Sequence, residues 1–284
     1  RLATGALIAM AAVFGEVAPP ISIPVMIIGG GVDMPYIGFG IPLLLVSFPL
    51  ALITALYFRF RFLPKYNIEK VKEYLDESGN EKYGFKLYIP IVFVVFYMIG
   101  EIRFHEYVPH LGVPLIFIIG TMMGLLTRRG VRIIDVSRKA LGSAMPVMAI
   151  LVGVGMFLQI LALTGVRGYL AVTALDMPEG IRYFAAGLMP FMGSAYGSAS
   201  IIGVPLVYVF IGKSTLVVTA ALVLMAALGD LMPPPALICA YSSQIIGEKN
   251  HFKILKTCLI PIAISMTVGI LVLVFAQEIA NLIL

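Results

Sequence analysis

The chain has 284 residues, of which 60% are hydrophobic and 12% are charged, and its formal net charge is +5. A typical soluble domain is about 45–50% apolar and about 25% charged, so this composition excludes an ordinary soluble protein and predicts a polytopic membrane protein. The apolar residues run continuously, which argues against the alternating pattern of a porin-type barrel. The basic residues lie in short loops, so the positive charge does not indicate a nucleic-acid partner.

Several apolar stretches approach or exceed the roughly 20 residues that a helix needs to cross a bilayer. They are residues 2–30 (interrupted), 37–58, 87–100, 111–126, 141–165, 216–246 (interrupted) and 257–276. Residues 181–211 are also apolar but are broken by the Gly/Ser-rich stretch 193–200. Two half-length segments around such a tip predict a re-entrant hairpin, because irregular backbone at membrane depth must be buried in protein or face a wet cavity. Two short full spans remain the alternative.

Basic residues are clustered at 59–86, 128–139 and 249–256. The positive-inside rule places these clusters on the cytoplasmic side, and the third joins the others only if residues 181–211 enter and leave by the same face. The charge pattern therefore favours the hairpin and a multi-pass protein of the inner membrane. Residues 59–86 are predicted to form a cytoplasmic loop, and residues 128–142 an interfacial arm helix. Because the sequence begins without Met inside an apolar segment, we expect that an N-terminal part of the natural protein precedes it.

One motif occurs twice, and each copy interrupts an apolar stretch. Both copies read Gly-acid-x-x-Pro-Pro: Gly15, Glu16, Pro19 and Pro20 in the first, and Gly229, Asp230, Pro233 and Pro234 in the second. Proline removes a backbone donor and keeps the preceding residue out of the helical region, so both helices should unwind here. The predicted topology gives the two copies opposite directions, which indicates an inverted repeat. The alternative is two kinked spans that share a Pro-Pro pair by chance.

Glu16 and Asp230 are the only acidic residues predicted near mid-membrane. A carboxylate at that depth costs a few kcal/mol, about 2.5–3.5 for Asp, so such residues are usually functional. Proton or cation coupling is the first interpretation, and a helix-end carboxylate bound by backbone amides or water is the second. In the inverted-repeat architecture, freed carbonyls coordinate cations and half-helix N-termini attract anions.

The tip of the predicted hairpin offers further binding groups. Its hydroxyls and close-approach glycines suit a hard cation, and we predict a Na⁺ site near Ser198, Ser200 and Asp230. The alternative is that small residues only permit tight packing. The tip residues in this prediction are Gly193, Ser194, Gly197, Ser198 and Ser200. Beyond a Na⁺ or H⁺ coupling ion, the sequence predicts no cofactor.

Four stretches together resemble a known family: residues 15–24, 128–159, 192–205, and 229–247 followed by 252–261. They are similar to the large membrane subunit of TRAP (tripartite ATP-independent periplasmic) transporters, within the ion transporter superfamily. The Pro-Pro pair is shared with sister families of that superfamily. The resemblance implies an all-α, elevator-type secondary transporter with Na⁺ coupling and organic-anion substrates such as carboxylates. It also implies a small membrane subunit and a periplasmic binding protein as partners, and it adds Ser22, beside the first break, to the site.

The resemblance also implies a division of the chain into moving and static parts. Residues 1–36 would be the broken helix of the first repeat, and 143–250 the transport domain of the second repeat, with hairpin 181–211 and broken helix 216–246. Residues 37–127 and 251–284 would supply scaffold spans, in a protein that could form an oligomer. The first hairpin of the family would precede Arg1. Glu16 and Asp230 depart from the family pattern and leave room for proton coupling.

Three other functions compete with this interpretation. A stand-alone symporter or antiporter of the same superfamily would need no binding protein. An intramembrane aspartyl protease is suggested by residues 228–230 and 235–237, but that chemistry needs two aspartates on facing helices and only one is present. A channel would favour a repeated filter, which the sequence lacks. We therefore expect a transporter rather than an enzyme.

Overall fold

The computed structural model describes residues 1–19, 22–34, 39–62, 85–103, 108–109, 111–127, 132–233 and 236–283. These residues form helices and connecting turns, with no strand among them, so the predicted all-α class is confirmed for the described part of the chain. The helices are α1 (Leu2–Val17), α2 (Ile23–Gly31), α3 (Gly40–Phe62), α4 (Ile89–Arg103), α5 (Gly112–Thr127), α6 (Ile133–Leu163), α7 (Val166–Leu175), α8 (Glu179–Gly187), α9 (Ala195–Val209), α10 (Thr215–Leu228), α11 (Leu237–Ile246), α12 (Phe252–Val274) and α13 (Ala276–Ile283).

Two helices, α3 and α12, are long and apolar enough to cross a membrane by length and composition. Each has 23 residues, which corresponds to roughly 35 Å at 1.5 Å per residue. Each also carries an internal proline, Pro49 and Pro261. Helices α1, α10 and α11 are shorter, because the two apolar stretches that contain them are broken in the middle.

Both interruptions lie where the repeated motif predicts them. The first apolar stretch ends as a helix at Val17 and resumes at Ile23. The second ends at Leu228, continues as the 3-10 turn Gly229–Leu231 and resumes at Leu237. In the second break, Ala236 adopts the left-handed conformation with φ of 52°, which is uncommon for a residue with a Cβ atom. The proline pairs therefore separate half-helices rather than merely bending continuous ones.

The chain divides into two compact units, Arg1–Phe62 with Ile150–Leu284, and Leu63–Ala149. In the second unit, α4 and α5 pack closely through small residues, since a Cβ atom on Gly120 would lie 2.6 Å from the Val94 side chain. The Tyr97 hydroxyl donates to the Pro109 carbonyl at 2.9 Å. Of the region predicted as a separate arm, residues 128–142, residues 128–131 lie outside the described part, and residues 133–142 belong to α6, a single 31-residue helix. Neither glycine nor proline occurs between Ile133 and Leu141, so no residue there ends the helix.

The first unit is built around α10. Every residue of this helix from Val217 to Leu228 is buried, as expected for a helix that is apolar on all sides. Helices α1, α2, α3 and α12 pack around it. The family resemblance placed residues 37–58 and 257–276 in a scaffold apart from the broken helices. In the structure, α3 and α12, which contain most of these residues, pack directly on α1 and α10 within this one unit.

Candidate functional site

The two broken helices run in opposite directions beside each other. Near the start of α1, a Cβ atom on Gly5 would lie 2.8 Å from the Ile246 side chain, at the end of α11. The Cys258 thiol donates to the Ala6 carbonyl at 3.6 Å. Near the end of α1, Glu16 lies within electrostatic range of Asp230 in the second break. The start of α1 thus lies beside the end of α11, and the end of α1 lies beside the break that precedes α11. The two motif copies therefore face each other.

The acidic residues of the two motif copies form a carboxyl pair. Glu16 lies in the last turn of α1 and Asp230 in the 3-10 turn after α10. The two side chains lie within electrostatic range of each other. Asp230 is only 8% exposed, and the Glu16 Oε1 atom is buried without a hydrogen-bond partner among the described residues. Two acids placed so near each other suit the binding of a proton or a cation.

Asp230 also contacts the segment that was predicted to be a hairpin. The Ala195 N–H group donates to Asp230 Oδ1 at 2.8 Å. The neighbouring Gly229 lies against the same segment, where an added Cβ atom would meet the Gly193 carbonyl oxygen and would lie 3.3 Å from Ser198 Oγ. The glycine of the motif therefore permits the approach that brings Asp230 to the Ala195 N–H group.

The two arms of this segment are α8 and α9. Tyr183 of α8 contacts Phe210 and Lys213, which follow the C-terminal end of α9. The Lys213 ammonium donates to the Tyr183 hydroxyl at 2.7 Å, and the rings of Tyr183 and Phe210 lie 5.3 Å apart. The same ammonium donates to the Leu273 and Val274 carbonyls at 3.2 and 2.6 Å. Residues 183–213 thus form a helical hairpin. Its base is at Lys213, and its tip, at residues 193–195, lies against Asp230.

The predicted tip residues lie at or near the break, but not as an extended loop. Gly193 has φ of 120°, and Ser194 caps α9 by accepting from the Gly197 N–H group at 3.4 Å. Helix α9 therefore begins at Ala195, so Ser198 and Ser200 are buried on a helix. The prediction of an irregular stretch over 193–200 is wrong beyond Ser194, because an N-cap serine after a left-handed glycine starts a helix.

The hydroxyl groups of the tip mainly serve the backbone. Ser198 donates to the Gly193 carbonyl at 3.3 Å, and Ser200 donates to the Gly197 carbonyl at 3.0 Å. Ser198 is adjacent to Gly229, whereas no described contact brings Ser200 to Asp230. The described residues contain no group of three or more His, Cys, Asp or Glu side chains that could hold a metal ion. The Na⁺ site near Ser198, Ser200 and Asp230 stays a prediction.

The other predicted site residues line the two breaks. Ser22 is buried at the N-cap position of α2, and Gly15 is exposed with no atom within 4 Å of its added Cβ position. Pro19 and Pro233 lie in turns that follow the half-helices. Pro20 and Pro234 lie outside the described residues.

Three residues near the breaks and the hairpin were missed in the sequence. Tyr196 lies in the first turn of α9 and within electrostatic range of both acids. The Cys239 thiol donates to the Leu231 carbonyl at 3.7 Å, which ties α11 to the second break. Lys213 fixes the base of the hairpin. A signal existed for two of them, since Tyr196 is the one aromatic residue within 193–200 and Lys213 is the only basic residue between Arg182 and Lys249.

No protein-family model and no curated protein sequence matches this chain. The resemblance to TRAP transporters therefore depends on the motifs alone.

Proposed function

We propose that this chain is the membrane subunit of a cation-coupled secondary transporter that imports small organic anions, such as carboxylates, across the inner membrane. The observation that carries the proposal is that Glu16 and Asp230, one acid from each break, lie within electrostatic range of each other beside the tip of a hairpin. Broken helices that meet in this way form the ion and substrate sites of many secondary transporters. Buried acids in such positions are typical of coupling sites.

The coupling ion in this proposal is Na⁺ or H⁺, and the energy comes from its gradient. The sequence has no Gly-x-x-x-x-Gly-Lys-Ser/Thr loop for binding ATP phosphates,. The substrate anion has no Lys or Arg in the broken helices to bind it, because none occurs in residues 2–58 or 214–248. Half-helix N-termini and the bound cation are therefore the groups expected to attract it.

The movement that we propose is of the elevator type, in a multi-pass inverted-repeat protein. The antiparallel pairing of α1 with α11 supports the inverted repeat. The packing of α1, α2 and α10 on one another favours moving the two broken helices as one body. From the resemblance we also propose a small membrane subunit and a periplasmic binding protein as partners, and assembly within the lipid bilayer as an oligomer.

Uptake into proteoliposomes tests the proposal. The purified protein, with and without its membrane and periplasmic partners, is given ¹⁴C-acetate, ¹⁴C-succinate or a ¹⁴C-sugar acid under an inward Na⁺ or H⁺ gradient. We expect gradient-driven uptake of at least one acid without ATP. Uptake that requires ATP and proceeds without any ion gradient would refute secondary transport.

Topology is tested by labelling single cysteines at positions that the structure describes. We expect Arg132→Cys and Lys249→Cys to react only from the cytoplasmic side, and Asp33→Cys and Asp176→Cys only from outside. Asn80 and His105, predicted to be cytoplasmic and external, lie outside the described residues. Labelling of position 249 from outside would contradict both the re-entrant hairpin and the inverted repeat.

The second candidate is a stand-alone symporter or antiporter that works without a binding protein. The observation in its favour is that the site holds two acids and that no basic residue lies in the broken helices, which suits a cation as the transported species. Exchange of ²²Na⁺ for protons by the purified chain alone would support this candidate. Anion uptake that requires the binding protein would exclude it.

A further inference from the structure

The first turns of α6 differ in composition from the rest of that helix. Residues 141–163 contain no charged side chain and belong to the apolar stretch that the sequence predicts to cross the bilayer. The charged residues that come just before this stretch are Arg132, Asp135, Arg138 and Lys139. We call residues 132–141 the basic segment. Because it directly precedes a predicted span, the basic segment is expected at the level of the polar headgroups.

The charged side chains of the basic segment share one face. Residues three or four positions apart are neighbours on the surface of a helix. Asp135 has this spacing from each of the three basic residues, and it forms an ion pair with Arg132 at 3.5 Å. The apolar residues on the remaining surface are Ile133, Ile134, Val136, Ala140 and Leu141. The basic segment is therefore an amphipathic helix with a basic polar face.

The apolar face of the basic segment is not covered by the described part of the chain. Every residue from 132 to 141 is exposed, and the exposed fractions of Ile133, Ile134 and Leu141 are 59%, 82% and 60%. Contact of such a row of side chains with water is unfavourable. An exposed apolar patch beside polar residues typically marks an interaction surface for a protein or a membrane. A basic amphipathic helix of this kind is typical of segments that lie on a membrane surface.

The charge of the basic segment favours a membrane surface that carries negative charge. Asp135 neutralises Arg132, whereas Arg138 and Lys139 form no ion pair among the described residues. Two positive charges thus lie next to the apolar face without an acidic partner there. Anionic phospholipids of the cytoplasmic leaflet attract basic segments beside a span. A neutral lipid surface would cover the apolar face but would leave both cations without a counter-charge.

The chain offers a position at which α6 can bend towards that surface. Pro146 has no N–H group to donate to the Gly142 carbonyl, and helices bend at such positions. The basic segment can therefore incline towards the plane of the membrane while the apolar residues that follow Pro146 cross it.

We propose that the basic segment lies on the cytoplasmic surface of the membrane and binds anionic phospholipid headgroups through Arg138 and Lys139. Its apolar side chains, with Ile134 as the most exposed of them, enter the boundary between headgroups and acyl chains. This inference rests on the membrane location in the proposed function but on no step of transport.

Fluorescence quenching by brominated lipids tests the proposal on the whole chain. Ile134→Cys is labelled with bimane in a background in which the buried Cys239 and Cys258 are replaced by alanine. The vesicles contain equal parts of phosphatidylglycerol and phosphatidylcholine, and one of the two lipids has brominated acyl chains. We expect at least twofold stronger quenching by the brominated anionic lipid. Phe48→Cys on α3, at a position that is 64% exposed on an apolar helix, is the control label and should be quenched equally by both lipids.

A pair of charge variants tests which side chains select the lipid. Arg138→Gln combined with Lys139→Gln should reduce the preference of the label at position 134 to that of the control label. Lys249→Gln combined with Lys256→Gln is the matched control, because it removes the same charge from exposed positions in the third basic cluster and should leave the preference unchanged. Equal loss in both pairs would overturn the proposal, since the total charge alone would then attract the lipid.

The control label at position 48 separates failure of this inference from failure of the proposed function. If position 48 is quenched and position 134 is quenched by neither lipid, the basic segment does not lie on the membrane, and the inference alone is overturned. Equal quenching of position 134 by the two lipids also overturns it, because the headgroup charge is then not recognised. If neither position is quenched, the chain is not in the bilayer, and both proposals fail.

Discussion

The two breaks share one motif, but their surroundings differ. At the second break, Gly229 lies against the Gly193 carbonyl, and Asp230 is buried and bonded to the hairpin tip. At the first break, Gly15 is exposed with no atom within 4 Å of its added Cβ position, and Glu16 keeps one oxygen without a partner among the described residues. The hairpin thus covers the second break closely, while the first contributes its acid to that same place.

This comparison separates what the motif does from what packing does. In both copies the prolines end a half-helix, which is a local effect of chain chemistry. The requirement for glycine and the burial of the acid depend instead on a neighbour distant in sequence. The two glycines should therefore respond differently to the same substitution.

Gly229→Ala has the largest expected effect on stability. The new methyl group would meet the Gly193 and Pro190 carbonyl oxygens, which belong to backbone and cannot rotate away. We expect a loss of about 3 kcal/mol of unfolding free energy, the upper part of the usual range for overpacking. Thermal unfolding in detergent measures it. Gly15→Ala is the matched control and should leave the melting temperature unchanged or raise it, because alanine favours helix. Equal effects at both positions would contradict the difference between the breaks.

Lys213→Met tests whether the base of the hairpin holds its tip over the second break. The substitution keeps most of the apolar stem but removes the ammonium that bonds Tyr183, Leu273 and Val274. We expect a loss of about 2 kcal/mol, as for hydrogen bonds to a charged group, together with faster hydrogen exchange at Ala195.

Lys256→Met serves as the control for Lys213→Met, because this lysine is exposed at the start of α12. If the two lysine variants have the same melting temperature and the same rate of hydrogen exchange at Ala195, the base of the hairpin does not fix its tip.

Gly31→Ala probes the contact of the first broken helix with the same hairpin. A Cβ atom on Gly31 would lie 2.5 Å from Val204 Cγ2, and a β-branched side chain has little freedom to turn away. We expect a loss of about 1–2 kcal/mol in thermal unfolding. The adjacent Gly30 has no atom within 4 Å, so Gly30→Ala should be neutral. A larger loss for Gly30→Ala than for Gly31→Ala would be inconsistent with this packing.

The smallest effect is expected at the far end of the second broken helix. The hydrogen bond from the Lys253 ammonium, at 3.0 Å, lowers the pKa of Glu248 from its ordinary value of 4.5. A lowered pKa stabilises the fold at neutral pH, and that contribution is lost as the pH falls through the lowered value.

Because the Lys253 side chain is 53% exposed and the Glu248 side chain 24% exposed, solvent screening weakens the pair, and Glu248→Gln should change the melting temperature at neutral pH by no more than the experimental error. A drop as large as that of Lys213→Met would contradict this ranking.

The sequence was most informative where a local rule decides the structure. The prolines of both motif copies mark the two breaks, and the continuous apolar runs mark α3 and α12. Sequence patterns were less informative where a tertiary contact decides. The Gly/Ser composition of 193–200 suggested an irregular tip, yet Ser194 caps a helix that is buried against α2 and α10.

The carboxyl pair could be expected only in part. The opposite directions of the two motif copies suggested that the breaks meet. The number of residues between Glu16 and Asp230, however, does not determine how far apart their side chains lie in space. The bond from Ala195 to Asp230 and the role of Lys213 depend on how the hairpin folds back. No periodicity in the sequence reports that geometry.

The most direct test of the central claim is a cross-link between the two breaks. Glu16→Cys and Asp230→Cys are combined in a background without Cys239 and Cys258, with a protease site inserted in residues 63–84. Treatment with Hg²⁺ should join the two fragments after cleavage, because the two acids lie within electrostatic range of each other in the structure. The control pair is Gly15→Cys with Asp230→Cys. Position 15 is exposed and has no atom within 4 Å of its added Cβ position, so this pair should not be cross-linked. Efficient linkage of the control pair, or none between positions 16 and 230, would contradict the account.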